Sequence, residues 1–139
     1  MKVHNSKIFV DTTHETDIID ISHEVKEKVL QSDVDNGNIA IFIPGSTAAL
    51  TTIEFESGAV NDLRKAIERI VPRDTYYEHD RRWGDGNGYS HVRAALLGAS
   101  LTIPVVNGAP LLGTWQQIVL LDFDNRPRRR EIKVQIMGE

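Results

Sequence analysis

A chain of 139 residues, of which 40% are hydrophobic and 26% are charged, has the size and composition of one globular domain. The net charge of −4 argues against non-specific nucleic-acid binding, and the absence of cysteine excludes disulfide scaffolds, thiolate metal sites and cysteine nucleophiles. No apolar run approaches the roughly 20 residues of a membrane span, and the first residues contain no signal-peptide core. We therefore expect a single domain over residues 1–139, located in the cytoplasm.

The first half of the chain is predicted to alternate strands with helices. Short β-branched and apolar runs predict strands over residues 7–13, 38–43 and 48–56. Apolar residues at helical spacing predict one helix that starts at Ser22, which we expect to be its N-cap. They also predict a second helix, opened by Asn61 or Asp62 and ended by Pro72.

The second half begins with a long polar segment and ends in strands. Residues 72–89 show no periodicity, and a glycine-rich segment of this length in a compact domain is usually functional or disordered; its aromatic residues favour order. A short helix follows Ser90, its predicted cap, and Gly98 suits its C-terminal end. Strands are predicted over residues 101–106 at a sheet edge, 114–122 at a sheet centre and 131–137. This order predicts an α+β fold in which a mixed, mostly antiparallel sheet packs with about three helices.

Two histidines and an aspartate in and after the long segment are candidate site residues. His79, Asp80 and His91 offer imidazole and carboxylate groups, which suit a divalent metal or general acid–base catalysis near neutral pH. Because His91 follows Ser90 at a predicted helix start, the helix dipole disfavours its charged form, as a metal ligand or general base requires. The alternative interpretation is that both histidines are solvated loop residues.

The same helix start is a candidate phosphate site. Its first backbone N–H groups lack partners within the helix, and a glycine-rich segment precedes them, an arrangement that suits an anion. The predicted phosphate-binding residues of this segment are Arg81, Arg82, Asn87 and Ser90.

A second group of candidates follows the strand at residues 38–43. Gly45, Ser46 and Thr47 combine a flexible backbone with hydroxyl groups, which suits contact with a phosphorylated substrate. Glu54 is a candidate base or metal ligand. Gln116 is a candidate polar contact of the site. The alternative interpretation of residues 44–54 is a tight turn with small residues for packing.

A basic run over residues 126–130 is flanked by Asp122, Asp124 and Glu131. The local excess of positive charge is therefore small. We interpret this run as a solvated turn.

Five segments resemble a known family. PGSTAALTTIE, YYEHD, DGNGYSHVRAALLGAS, GTWQQIVLLDFDNRPRRR and KVQIMG occur in the order seen in YjbQ-like proteins, also called UPF0047, so that residues 7–138 resemble that family. The resemblance implies a YjbQ-like fold, a homotrimer with sites near the subunit boundaries, and a weak thiamine phosphate synthase activity. That reaction joins hydroxymethylpyrimidine diphosphate to thiazole phosphate and releases pyrophosphate. His79 and His91 match two histidines of the family, whereas Gly45 stands where many members have a third.

Two functional hypotheses follow. In the first, the chain is an enzyme in which His79 and His91 bind a divalent metal (zinc or magnesium) with Asp80 or act as acid–base groups. Glu54 would orient the metal or the ligand, and the predicted helix start would stabilise the departing pyrophosphate. In the second, a trimer binds metal or phosphate without catalysis, which the missing histidine at Gly45 favours.

Overall fold

The computed structural model describes residues 1–13 and 15–139, which form two antiparallel sheets and four helices. The strands are β1 (Lys2–Asp11), β2 (Asp17–Asp20), β3 (Gly37–Phe42), β4 (Ala48–Ile53), β5 (Ser100–Val106), β6 (Ala109–Pro110), β7 (Gln117–Asp122) and β8 (Arg129–Gly138). The helices are α1 (Ser22–Ser32), α2 (Ser57–Ile70), α3 (Glu78–Trp83) and α4 (Gly88–Leu97). None of these helices has the length and apolar composition needed to cross a membrane.

The main core lies between the two sheets. The five-stranded sheet has the order β1-β8-β3-β5-β6, and the three-stranded sheet has the order β2-β7-β4. Ile132, Val134 and Ile136 alternate along β8 and are buried in this core. Leu120 of β7 and Val25 of α1 lie in the same core. The period of two along β8 therefore predicts correctly which face of the larger sheet is buried.

A second, smaller core lies on the other face of the three-stranded sheet. Val119 and Leu121 of β7 form a buried cluster there with Val60 and Ile67 of α2 and Ala94 of α4. β7 is therefore buried on both faces, as its continuous apolar sequence indicates. Its position between β2 and β4 confirms the central strand that the sequence predicts.

The α+β fold class is confirmed, but two helices begin differently from the prediction. α2 starts earlier than predicted because the Glu56 carboxylate caps it, accepting hydrogen bonds from the N–H groups of Gly58 and Ala59 at 2.6 and 2.8 Å. These two bonds also lower the pKa of Glu56. The predicted N-cap Ser22 is instead the first residue of α1, and its hydroxyl accepts a hydrogen bond from the N–H of Ile118 at 2.8 Å.

The long polar segment contains a helix that periodicity does not reveal. α3 lies within residues 72–89, and α4 starts at Gly88, ahead of its predicted cap. Ser90 lies inside the first turn of α4, where its hydroxyl donates a hydrogen bond to the carbonyl of Phe123 at 2.5 Å. The prediction of Ser90 as a cap is therefore wrong, because its hydroxyl connects α4 to the chain after β7.

The strands also differ from the single sheet that the sequence predicts. They divide between two sheets, and every strand pair in residues 1–13 and 15–139 is antiparallel. β2 and β6 are too short to show alternation and were not predicted. β6 pairs with Val105 and Val106, so β5 is at the sheet edge only along its earlier residues.

We expect Leu120→Ala to lower the free energy of unfolding by about 2–5 kcal/mol, because it removes a fully buried side chain from the main core. The matched control is Leu30→Ala on α1. Leu30 is 68% exposed, and its loss should change the free energy of unfolding by less than about 0.5 kcal/mol. Urea denaturation followed by circular dichroism measures both variants. Equal effects of the two substitutions would contradict the position of the main core.

Candidate functional site

An open cleft of about 440 Å³ lies at one end of the three-stranded sheet. Because Ala48 of β4 pairs with Asp122 of β7, the start of β4 and the end of β7 lie together at this end. The walls of the cleft are the β3–β4 loop, α3, the start of α4 and the β7–β8 connection. Segments that are far apart in sequence therefore meet around one space.

The wall formed by the β7–β8 connection is built on a buried ion pair. Asp122 is fully buried and accepts hydrogen bonds from Nε and Nη2 of Arg130 at 3.1 and 2.8 Å. Nη2 also donates to the hydroxyl of Thr47 at 2.8 Å, which connects the β3–β4 loop to β8. Only 9% of Arg130 is exposed, so packing and hydrogen bonds together hold its guanidinium group in place.

A second ion pair lies beside the first. Nε of Arg128 donates to Asp124 at 2.7 Å, and Thr47 donates to the same carboxylate oxygen at 3.3 Å. Burial by itself raises the pKa of Asp124, but the hydrogen bonds from Arg128 and from a backbone N–H outweigh burial and hold the pKa below its ordinary value. The interpretation of the basic run as a solvated turn is therefore wrong in part, because two of its arginines bind buried carboxylates.

Another part of the cleft lining carries two histidines in contact. The rings of His79 on α3 and His91 on α4 have centroids 4.3 Å apart and planes tilted by 39°. Burial lowers the pKa of His91, and the positive charge of His79 lowers it further, against the opposing effect of nearby carboxylates. His91 is therefore neutral at pH 7, the form that can accept a proton or a hydrogen bond.

His79 also faces two carboxylates in an arrangement that fits a divalent metal. Its Nδ1 lies 3.4 Å from Oδ1 of Asp80 and 3.6 Å from Oδ1 of Asp85. Ligand atoms bound to tetrahedral zinc at roughly 2.0–2.1 Å are about 3.4 Å apart, so both separations suit such an ion. A backbone N–H of α4 holds Asp80 at 2.7 Å, and Asn87, with its amide nitrogen turned toward Asp85, donates to that carboxylate at 3.1 Å.

The predicted site residues divide into those that the fold brings to the cleft and those that it does not. The predicted residues that line it are Gly45, Ser46, Thr47, His79, Asn87 and His91. Asp80 contacts His79 at the edge of the cleft, whereas His91 lies outside the group formed by His79, Asp80 and Asp85. Arg81 and Arg82 are exposed on α3 away from the lining, and Ser90 is fully buried.

Glu54 and Gln116 lie at the far end of the three-stranded sheet. Ile53 pairs with Gln117 there, and at roughly 3.3 Å per residue β4 separates this end from the cleft by about 20 Å. Gln116 donates to the hydroxyl of Thr52 at 3.0 Å, so its amide holds the chain before β7 against β4. The fold does not bring these two residues to the cleft.

A second, apolar groove of about 350 Å³ adjoins the cleft. Gly45, Ser46 and His91 line both spaces, and small residues of α4 and of the chain after it form the remaining wall. Ala94, Ala95 and Ala99 are among these small residues. A polar compartment and an apolar compartment therefore meet at the β3–β4 loop and His91.

Five cleft residues were not identified from the sequence, namely Arg126, Arg128, Arg130, Trp83 and Asp85. A usable signal was present in the spacing of the charges. Asp122 and Asp124 are two residues apart, as are Arg128 and Arg130, and a turn separates the two pairs. Opposite charges in this order on the two sides of a turn favour nested ion pairs across that turn.

We expect His91 to titrate below pH 6.5 and His79→Asn to raise its midpoint, because burial and the charge of His79 hold its pKa down. The folded chain then binds fewer protons at His91 than the unfolded chain, so the free energy of unfolding falls as the pH drops below 6.5. NMR of the histidine Cε1 protons measures the midpoint, and the control is His23→Asn, which changes an exposed side chain of α1. A midpoint unchanged by His79→Asn would contradict the coupling of the two rings.

Known proteins with similar sequences and similar structures belong to one family. Residues 6–139 match the family model described as UPF0047 protein YjbQ-like. The chain is 37% identical over 139 residues to a UPF0047 protein of Methanothermobacter thermautotrophicus, covering 100% of this chain and 95% of that protein. It is 32% identical over 130 residues to the UPF0047 protein YugU of Bacillus subtilis, covering 93% of this chain and 96% of that protein. A crystal structure of a YbjQ-like protein of unknown function from Sulfolobus solfataricus matches with a TM-score of 0.94 at 34% identity, over 99% of both chains. The chain therefore belongs to the YjbQ-like UPF0047 family, as its five sequence segments predict.

Proposed function

We propose that the cleft binds small phosphorylated molecules and catalyses the reaction that the family resemblance implies, in which hydroxymethylpyrimidine diphosphate and thiazole phosphate are joined and pyrophosphate is released. The observation that carries this proposal is the convergence of Arg126, Arg128 and Arg130 with His79 and His91 around one cleft. Guanidinium and imidazole groups form charge-assisted hydrogen bonds with phosphate oxygens, and guanidinium matches the geometry of phosphate.

The charge balance of the cleft favours an anion. Among the described residues that line it, three arginines face one carboxylate, that of Asp85. Asp122 and Asp124 pair with Arg130 and Arg128 but are fully buried, so an incoming anion meets the guanidinium groups first. Arg126 is exposed on the same connection and adds a positive charge at the rim. These positions support binding of a diphosphate or of two phosphate groups.

The adjoining groove supports an organic part on the same substrate. An aromatic heterocycle attached to a phosphate needs an apolar surface next to the anion site, and the alanine-lined wall provides one. Since His91 and Ser46 lie between the two spaces, a substrate could place its ring in the groove and its phosphate in the cleft.

The proposed reaction requires little covalent participation from the protein. The bond between the pyrimidine methylene carbon and the diphosphate oxygen breaks, and its electron pair leaves with pyrophosphate. The lone pair of the thiazole nitrogen forms the new carbon–nitrogen bond to the same carbon, so no oxidant and no net proton transfer are needed. The protein then has to hold two anionic substrates together and stabilise the charge that develops on pyrophosphate.

Several residues in and beside the cleft have a role in this scheme. Arg126 and Arg128 stabilise the departing pyrophosphate, and neutral His91 contacts a phosphate oxygen without adding a charge to repel the developing cation. His79, Asp80 and Asp85 would hold a divalent ion, zinc or magnesium, which supplies further neutralisation of phosphate charge when bound. Glu54 has no part in this scheme because of its distance from the cleft.

A second candidate function is binding of phosphate or metal without catalysis. Gly45 favours it, because this position of the cleft wall carries no side chain for chemistry.

We also propose that the chain forms the homotrimer that the family resemblance implies. Large apolar side chains on the outer face of the five-stranded sheet support such an assembly, since Val3, Phe9 and Phe42 are 55%, 52% and 47% exposed.

We expect the purified protein to form thiamine phosphate from the two substrates and His91→Ala to reduce the rate by about 100-fold or more, because the residue lies between both compartments. Conversion of the product to fluorescent thiochrome measures the rate, and gel filtration checks that the assembly is intact. The control is His23→Ala, since His23 lies on α1 with its side chain 81% exposed. No product from the unsubstituted protein would favour the binding function, and full activity of His91→Ala would contradict the assigned role.

We expect protein grown with added zinc to retain near-stoichiometric metal and His79→Ala to lose it, because Nδ1 of His79 is the centre of the three-residue group. His91→Ala is the matched histidine control and should retain the metal, since His91 lies outside that group. Elemental analysis by mass spectrometry measures metal per chain. Metal-free protein before any substitution would contradict the metal site and leave the arginines as the anion-binding groups.

A further inference from the structure

We infer that Arg130 is the central oxyanion-binding residue of the cleft and that the backbone N–H groups of Gly45 and Ser46 complete a subsite for one phosphate group. This inference rests on the proposed function and specifies which atoms bind the anion. Its ligand is a tetrahedral phosphate, either the terminal group of a diphosphate or a phosphate monoester.

One nitrogen of the Arg130 guanidinium group is not used within the described residues. Nε and Nη2 of Arg130 donate to Asp122 and Thr47. Nη1 donates to no acceptor within residues 1–13 and 15–139. Arg130 is 9% exposed and still lines the cleft. Nη1 is not one of the buried, unpaired side-chain atoms of the described residues, and Arg130 lines the cleft, so this nitrogen is available to an anion that enters there.

The backbone of the β3–β4 loop lies beside this nitrogen. Gly45 has a φ of +108°, which favours glycine, and a Cβ at this residue would lie 3.6 Å from Nη1 of Arg130. The loop therefore comes close to the guanidinium group with no side chain covering it. The N–H groups of Gly45 and Ser46 have no hydrogen-bond acceptor within the described parts of the chain, 1–13 and 15–139. Successive free N–H groups next to a cation are a common anion-binding arrangement.

Arg130 is held more rigidly than the other arginines of the cleft. Arg126 is exposed, and Arg128 is only partly buried. Arg130 is fixed by a two-point contact with Asp122 and by Thr47, so little conformational freedom is lost when it binds an anion. Arg126 and Arg128 then attract the anion or hold its second phosphate, while Arg130 positions the first.

The test is binding of inorganic phosphate, measured by isothermal titration calorimetry at low ionic strength. Arg130→Lys keeps a positive charge next to Asp122 but removes Nη1, and we expect phosphate affinity to fall about tenfold or more. Arg129→Lys is the control outside the cleft, where Arg129 lies against Phe9, and should leave affinity unchanged.

A second substitution, Gly45→Ala, tests the subsite if Arg130→Lys does not fold. Gly45→Ala leaves the ion pair intact but places a methyl group beside Nη1 in a backbone conformation that alanine disfavours, so phosphate affinity should also fall about tenfold. Unchanged affinity in a folded Arg130→Lys or Gly45→Ala would overturn the subsite, while phosphate binding by the unsubstituted protein would leave the proposed function standing. No phosphate binding by the unsubstituted protein would overturn the subsite and the binding step of the proposed function together. Phosphate binding at Arg130 without formation of thiamine phosphate would support the subsite and contradict only the proposed reaction.

Discussion

The buried ion pair between Asp122 and Arg130 connects three segments that are far apart in sequence. Asp122 accepts from Arg130 across the β7–β8 connection and from the N–H of Asp124 within it, and Arg130 donates to Thr47 on the β3–β4 loop. Removing one partner of such a pair costs about 3–5 kcal/mol, whereas replacing both with apolar residues is often neutral. The pair is therefore a weak source of net stability. Its main effect is to fix the cleft wall and to direct one guanidinium nitrogen toward Gly45.

The histidine wall is attached to the same centre through contacts of its own. The side-chain amide of Asn125 donates to the carbonyl of Asp85 at 2.9 Å, which joins the β7–β8 connection to the loop between α3 and α4. Ser90 bonds to the carbonyl of Phe123, which joins α4 to the end of β7. Both contacts involve backbone carbonyls, so they constrain the path of the chain rather than one side chain. These contacts consequently hold the histidine wall and the β7–β8 connection in a defined arrangement around the cleft.

Arg128 and Arg130 line the cleft, whereas the carboxylates that pair with them are buried behind it. The carboxylates that pair with Arg128 and Arg130 lie on the buried side, and the cleft side presents donors. Burial first and the charge of His79 second lower the pKa of His91. Its neutral ring does not repel the arginines of the cleft. Guanidinium groups that buried carboxylates hold in place need little rearrangement to bind an anion, which supports the proposed phosphate binding.

The sequence by itself determined the fold class, the inward face of β8, the central position of β7 and the family, because short-range periodicity and ordered motifs carry that information. It also identified His79, His91 and the loop from Gly45 to Thr47, since these residue types stand out in glycine-rich segments between elements. Only the tertiary structure decided which of them meet. Glu54 and Gln116 lie at the end of the three-stranded sheet that is far from the cleft. Ser22 and Ser90 form hydrogen bonds with backbone groups that are distant in sequence. Arg128 and Arg130, in a run interpreted as solvated, form ion pairs with buried carboxylates. In each case the deciding contact depends on strand register and on partners far away in sequence, which local patterns do not encode.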